Sequence, residues 1–314
     1  MTGTPAGVVA DLARWVDRCI GFEGVEDAPV VACSGGADSV ALLALTVASG
    51  RSPVAVHVDH RLRPGGAAES AFVARVAERL GVLARSVAVD VGPGPNLEAR
   101  ARVARYDALD AVRADVGAAT VLVGHTADDQ AETVLLNLMR GSAAAGLAAM
   151  APRRGVVVRP LLPLRRTESE AVCAALGVTP FRDPMNHDSS FRRVAVREDL
   201  LPRLSAAAGR DLVPVLTRQA EVLRSESEYL DELARAAWPP APETTPAAVL
   251  ARLPLPLARR AVRQWIGSPP PSFSEVERVL SVAHGRVRAA ELAGGRRVER
   301  RAGALHLNRV SVAP

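Results

Sequence analysis

Pro29-Val30-Val31-Ala32-Cys33-Ser34-Gly35-Gly36-Ala37-Asp38-Ser39-Val40 is the stretch whose reading decides the fold. Its first five residues, small and mostly apolar with two β-branched members, predict a strand buried on both faces. Gly35 and Gly36 then permit a tight reversal, and Asp38 and Ser39 suit the first turn of a helix. At such a strand–helix junction successive backbone N–H groups point at an anion. The helix N-terminus adds its positive end, and the Ser34 and Ser39 hydroxyls add donors. A plain turn with Asp38 and Ser39 as caps would explain a lone Gly-Gly pair. The complete string Ser34-Gly35-Gly36-Ala37-Asp38-Ser39 behind a first strand favours phosphate.

Outward from this unit the same alternation continues. Apolar runs predict strands at 29–33, 53–58, 85–91, 120–123 and 156–159, separated by helical patterns at 38–48, 67–80, 97–116, 128–139 and 168–176. Strands alternating with helices mean right-handed crossovers, hence an α/β fold with a doubly wound, mostly parallel five-stranded sheet. Ligands in such sheets bind beyond the carboxyl ends of the strands, which puts 34–39, 57–63 and 124–132 on one rim. Past residue 208 the strand signal stops. A long amphipathic helix is expected over 211–238, then a tract holding nine of the 23 prolines, short helices at 256–266 and 274–282, and a hairpin around Gly294-Gly295. The expected organisation is a nucleotide-binding domain over 1–208 and a smaller, mainly helical domain over 209–314.

Composition narrows the chemistry. The 314 residues contain no lysine, so all 39 basic residues are arginine; a lysine Schiff base and a Walker-type loop with its lysine are excluded. The net charge of +5 is concentrated after residue 280, where seven arginines (286, 288, 296, 297, 300, 301 and 309) face only Glu291 and Glu299. Such a patch suggests a polyanionic partner. Cys19, Cys33 and Cys173 are too widely spaced for a metal knuckle or redox pair. No apolar run reaches the ~18–20 residues of a membrane span, and no secretory leader is visible, so a cytoplasmic protein is expected.

The segment Gly124-His125-Thr126-Ala127-Asp128-Asp129-Gln130-Ala131-Glu132 carries the densest chemistry. Asp128 and Glu132 are four apart, and Asp129 and Glu132 three apart, so one helix face can cluster carboxylates able to attract an ammonium, hold Mg²⁺ against ATP or accept a proton. Thr126-x-x-Asp129 also reads as a capping box. Capping leaves Glu132 and His125 unexplained, which favours a functional reading for His125, Asp129 and Glu132 and leaves Asp128 open. Arg102 and Arg105 share a helix face beside Tyr106, suited to phosphate or to the solvent. Asp183, Asn186 and Asp188 fit either Asx turns or a substrate pocket. Arg193 and Arg197, four apart, suit phosphate contacts or salt bridges with Glu198 and Asp199.

The string Ser34–Ser39 resembles the PP-loop of the ATP pyrophosphatases, which cleave ATP between the α and β phosphates and adenylate a substrate. Together with His57-Val58-Asp59-His60, Ala101-Arg102-Val103-Ala104-Arg105-Tyr106, the His125–Glu132 segment, Arg140-Gly141, Arg159-Pro160-Leu161 and Asp183-Pro184-Met185-Asn186-His187-Asp188, the order of strings over about residues 28–205 is similar to the tRNA(Ile)-lysidine synthase family. That resemblance implies ATP and Mg²⁺, with Asp38 and Asp129 near the metal and Ser34, Gly35, Gly36, Ala37, Asp38 and Ser39 holding the nucleotide. It implies catalytic roles for Asp38, His125, Asp129 and Glu132, and tRNA or substrate contacts for Arg102, Arg105, Arg140, Asp183, Asn186, Asp188, Arg193 and Arg197. The implied substrates are isoleucine tRNA with a CAU anticodon and free L-lysine, with no membrane partner and a homodimer left open. Val194 and Glu198 depart from the family's usual Asn and His. The rivals are a PP-loop tRNA thiolase, whose cysteine chemistry three scattered cysteines do not supply, a small-molecule amidotransferase, and a non-catalytic RNA-binding module.

Overall fold

The computed structural model describes residues 12–61, 65–181, 192–238 and 244–309, and the chain divides into two compact units, Met1–Glu221 and Val222–Pro314. The division falls inside the long helix Val213–Ala237 rather than at residues 208/209. The reason is packing: Val213, with Leu212 and Leu216 beside it, joins Ala127, Ala131 and Leu135 in an apolar cluster of the first unit.

The first unit is built on a six-stranded sheet: β1 Val30–Ala32, β2 Val54–Asp59, β3 Leu83–Ala88, β4 Val121–Leu122, β5 Arg153–Arg154 and β6 Val157–Val158, in the order β3-β2-β1-β4-β6-β5. Five strands are parallel, as the alternation predicts. The sixth, β5, is an antiparallel edge of two arginines that turns into β6 at Gly155, too short and too charged to carry a strand signal. Register places Val30 beside both Val54 and Val121, so β1 lies between β2 and β4.

Helices cover both faces. Alternation along β1 sends Val31 into one core, with Val40–Leu45 of helix α1 (Ala37–Ala48) and Val73, Val76 and Ala77 of α2 (Gly66–Arg79). Val30 enters the other, with Leu109 and Val112 of α3 (Leu97–Asp115). Val40, Leu42, Leu43 and Leu45 are fully buried. At roughly 1.5–3 kcal/mol per fully buried side chain of this size, they anchor α1 and with it the loop that precedes it. Chain order reverses between β1 and β4, which opens the crevice where such sheets bind ligands. Two further helices complete the site: α4 (Ala127–Met139) follows β4, and α5 (Arg166–Ala175) follows β6.

The second unit is not only helical. It holds a four-stranded antiparallel sheet, β7-β10-β9-β8, made of β7 Thr244–Pro246, β8 Ala289–Leu292, β9 Arg296–Arg301 and β10 Ala304–Arg309. Gly294-Gly295 turns β8 into β9, and a second turn at Ala302-Gly303 leads to β10, so the expected single hairpin is a three-stranded meander with an added strand. Helices Leu255–Ile266 and Phe273–Ala283 pack over it, and Trp238 meets Trp265 edge to face with ring centroids 5.5 Å apart.

The terminal arginines divide in their roles. Arg296 is buried and donates to the carbonyls of Ala293 (3.0 Å), Pro269 (2.9 Å) and Ile266 (3.4 Å), which is a structural task. Arg297 pairs with Glu291, Arg301 with Glu299, and Arg300 donates to the Ala283 carbonyl. Arg286 and Arg288, on the exposed turn before β8, form no ion pair among the described residues.

Candidate active site

The glycine-rich turn after β1 is braced from within. Ser39 Oγ accepts the Ser34 amide hydrogen bond (3.1 Å) and donates to the Gly36 carbonyl (2.9 Å), while Ser34 Oγ lies 3.3 Å from it. Gly35 sits at φ +86°, and a Cβ there would meet the Phe72 ring at 3.1 Å, so glycine is required on both backbone and packing grounds. Gly36 caps α1 with no side-chain hydrogen bond, leaving the helix N-terminus open to a ligand.

Because β4 neighbours β1, the segment after β4 arrives beside this turn. Gly124 makes the approach: a Cβ would lie 2.8 Å from the Asp38 carbonyl oxygen and 3.2 Å from the Ser39 nitrogen. Beyond it Thr126 caps α4 with the expected capping box. Asp129 Oδ2 accepts from the Thr126 amide (2.8 Å) and hydroxyl (3.0 Å). The capping box thus occupies one oxygen of Asp129; the other, Oδ1, receives Arg193 Nη2 at 2.9 Å, and the residue lines the cleft.

The carboxylates of α4 are not free to act as an acidic patch. Glu132 is fully buried and receives Arg193 Nε (2.7 Å) and Arg197 Nε (2.8 Å), with Arg166 Nη2 at 3.4 Å. Arg166 also reaches Asp129 (3.5 Å) and Asp38 (3.7 Å). Asp128 takes Arg165 Nη2 at 3.0 Å and the Arg166 amide at 2.8 Å, and Arg165 pairs in addition with Asp211. Arg193 and Arg197 therefore pair across to α4, not with Glu198 and Asp199. Asp199 pairs with Arg203 instead.

Sequence reading had passed over Arg165 and Arg166. Their signal was available: two arginines opening a helix sit where the dipole disfavours positive charge, so something else had to hold them.

Protonation follows from these contacts. Burial, followed by the nearby Asp129 charge, pushes the Asp38 carboxyl up to about 6 against Ser169 and Arg166. Its Oδ1 is buried without a hydrogen-bond partner among the described residues. Burial acts to raise Asp129 as well, but Arg193, the Thr126 amide and Arg166 outweigh it and hold that carboxyl low. His125 is driven down to about 3 by burial and by Arg159, Arg193 and Arg102, against Asp129, so it is neutral.

These groups line a cleft of about 1190 Å³ that includes Ser34, Asp38, His57, Arg105, His125 and Asp129, roomy enough for a nucleotide. A second cavity of about 240 Å³ is lined by Asp128, Glu132, Arg165, Arg166, Arg197 and Asp211. Arg166 and Arg197 line both.

Ser34, Gly36, Ala37, Asp38, Ser39, His125, Asp129, Arg105 and Arg197 come together on the large cleft, while Glu132 lines the second cavity and Arg193 is tied to both Asp129 and Glu132. Arg102 is exposed beside Arg105. Arg140 is not among them: it is the exposed C-cap at the far end of α4. Asp183, Asn186 and Asp188 lie outside the described residues. His57, Asp59 and His60 form no metal centre, and no group of three or more His, Cys, Asp or Glu among the described residues is arranged as one.

Comparison with known proteins places the chain in a family. A PP-loop domain is matched over residues 16–204. The tRNA(Ile)-lysidine synthase of Rhodococcus erythropolis is 45% identical over 240 residues, covering 76% of this chain and 73% of that protein. The tRNA(Ile)-lysidine synthase of Salinispora tropica is 41% identical over 320 residues, 95% of each chain. Among solved structures, the U34-tRNA thiolase NcsA from Methanococcus maripaludis, with its [4Fe-4S] cluster, superposes with a TM-score of 0.54 at 16% identity over 71% of this chain and 80% of that one, which is a likeness of fold alone. On the strength of the matched domain and these relatives, the chain belongs to the tRNA(Ile)-lysidine synthase family of PP-loop proteins.

Proposed function

We propose that this protein is an ATP-dependent ligase that adenylates the C2 oxygen of the wobble cytidine in CAU-anticodon isoleucine tRNA and joins free L-lysine to that carbon, releasing AMP and pyrophosphate. The observation that carries the reading is the meeting of the braced Ser34–Ser39 turn with the His125–Glu132 segment across adjacent strands, in a chain of this family. A cytosine oxygen is a poor leaving group, and adenylation turns it into AMP. The turn and the α1 N-terminus suit the departing pyrophosphate.

Mg²⁺ fits Asp38, whose buried Oδ1 lacks a partner. Phosphate oxygens and water would complete its shell. When bound, it supplies positive charge against the phosphates. Asp129, both of whose oxygens are engaged, is better suited to orienting Arg193 than to holding the metal. Free lysine suits the 240 Å³ cavity, where guanidinium groups can take its carboxylate and Asp128 or Asp211 an ammonium. The exposed pair Arg286 and Arg288 suits the tRNA backbone. The thiolase rival is disfavoured by thiol chemistry: burial pushes Cys19 and Cys173 up to about 12 and raises Cys33, so none is poised as a thiolate. No helix among the described residues is long and apolar enough to cross a membrane; as an enzyme acting on tRNA, the protein would work in the cytoplasm.

The test is release of AMP and pyrophosphate from ATP, with the tRNA and lysine added singly and together. Release that depends on both, with labelled lysine entering the RNA, supports the ligase. AMP without lysine incorporation would retain the ATP chemistry and reject the nucleophile. No AMP from folded components would reject the enzyme reading in favour of an RNA-binding module.

A further inference from the structure

Arg165, the N-cap of α5, grips two carboxylates unequally. Two of its nitrogens close on Asp128 as a fork, Nη2 to Oδ1 at 3.0 Å and Nε to Oδ2 at 3.1 Å. The third, Nη1, pairs with Asp211 Oδ2. Asp211 is divided in the same way. Its Oδ1 accepts from the Val213 amide at 3.0 Å and starts the long helix, which leaves Oδ2 to the arginine. Asp128 is braced from a second side by the Arg166 amide at 2.8 Å. Arg165 therefore has one anchored end and one spare arm, and Asp211 one anchored oxygen and one spare oxygen.

Exposure separates the two contacts. The Asp128 side chain is 17% exposed and that of Asp211 50%. An ion pair as open to water as Arg165–Asp211 contributes little to stability and parts easily. Both of its members line the 240 Å³ cavity, and neither lines the large cleft. Arg166 and Arg197, which line both, mark the side on which the two spaces adjoin. A free amino acid held in the cavity thus has a fixed direction. Its reacting side-chain amine must reach the cleft, so its α-carbon is left at the Arg165–Asp211 end. That end carries one carboxylate and one ammonium, the same two charges that Asp211 and Arg165 present to each other.

We propose that the Arg165–Asp211 pair is the head-group site of the amino-acid substrate: the pair opens, Arg165 Nη1 takes the α-carboxylate and Asp211 Oδ2 takes the α-ammonium. The identity of the amino acid rests on the function proposed above. The exchange replaces one ion pair with two and leaves both the Asp128 fork and the helix cap in place. Selection at this point is for a free α-amino acid, because a residue within a peptide lacks both charges. The side-chain amine stays outside the pair and keeps its approach to the cleft.

The experiment titrates the full chain, in the presence of a non-hydrolysable ATP analogue, with L-lysine, with 6-aminohexanoate, which lacks the α-ammonium, and with 1,5-diaminopentane, which lacks the carboxylate. The series is repeated on Arg165→Gln and Asp211→Asn, each of which removes a charge and keeps the shape. Each variant should bind L-lysine about tenfold or more weakly. Asp211→Asn should change the affinity for 6-aminohexanoate by less than about twofold, since the group it would hold is already gone, and Arg165→Gln should be equally silent toward 1,5-diaminopentane. A pair that only supports the fold would lose all three ligands alike, and that result would overturn the proposal. Unchanged L-lysine affinity in both variants would also overturn it, as would tighter binding by Arg165→Gln, which would make the arginine a plug. Should either variant not fold, the unmutated protein decides: both truncated ligands must bind about tenfold or more weakly than L-lysine, and equal affinities reject the site. An unmutated protein that binds no L-lysine would reject the proposed substrate itself, a result distinct from equal affinities.

Discussion

Replacing Glu132 with alanine tests the charged wall of the site. The carboxylate is fully buried and is the sole acidic partner of Arg197 among the described residues, while Arg193 and Arg166 keep Asp129. Removing one member of a buried ion-pair network costs about 3–5 kcal/mol, because it strands the opposite charge. Here the guanidinium side chains retain 25–28% exposure, so water recovers part of that loss and about 2–4 kcal/mol is expected. For a domain of this size about 3 kcal/mol corresponds to a fall in Tm of roughly 6–12 °C, readable by calorimetry. The distinctive expectation concerns the double variant. Adding Arg197→Met to Glu132→Ala removes the stranded cation, so the pair should melt higher than Glu132→Ala alone. A Glu132→Ala protein melting within about 2 °C of the parent, or a double variant less stable than the single one, would refute the assignment of Glu132 as the anchor of these arginines.

Asp38 should combine lost activity with gained stability. Its carboxyl titrates near 6 instead of 3.8, so the stability linked to its protonation is complete below about pH 4 and is lost as pH rises through about 6. Asp38→Asn is therefore expected to melt above the parent at pH 7–8, to converge with it below about pH 4, and to make no AMP; a lower Tm at pH 8 would contradict the sign. His125, driven to about 3, should show imidazole NMR resonances that do not titrate between about pH 5 and 8. In the second unit, Arg286→Ala with Arg288→Ala should weaken tRNA binding and reduce its salt slope by about two without changing Tm. Arg296→Met should instead destabilise the fold, since it orphans three carbonyls.

Much of the fold was legible because its signals are local. The apolar run at Val30–Ala32, the paired glycines and the buried face of α1 specify strand, turn and helix without reference to the rest of the chain. Length and charge hid β5, and in the meander four of the six residues of β9 are arginine, which blurs its alternation. In the site, residue types were legible and their partners were not. The carboxylates of α4 read as an acidic face because helical spacing reports only neighbours on one element. The arginines that neutralise them arrive from α5 and from the helical turns after residue 192, contacts that no periodicity encodes. The 208/209 boundary missed for a related reason: an amphipathic stripe says that a helix packs, but not against which body.

Gly124 bears on what kind of error this machine can make. Any side chain at that position would be driven into the Asp38 carbonyl, so the turn that would receive pyrophosphate and the helix that carries Asp129 are spaced by the width of a single missing methyl group. Loosening that spacing, as Gly124→Ala would, need not silence the protein. It could leave the first half-reaction running and let water intercept its product before the nucleophile arrives, converting a ligase into a leaking consumer of ATP.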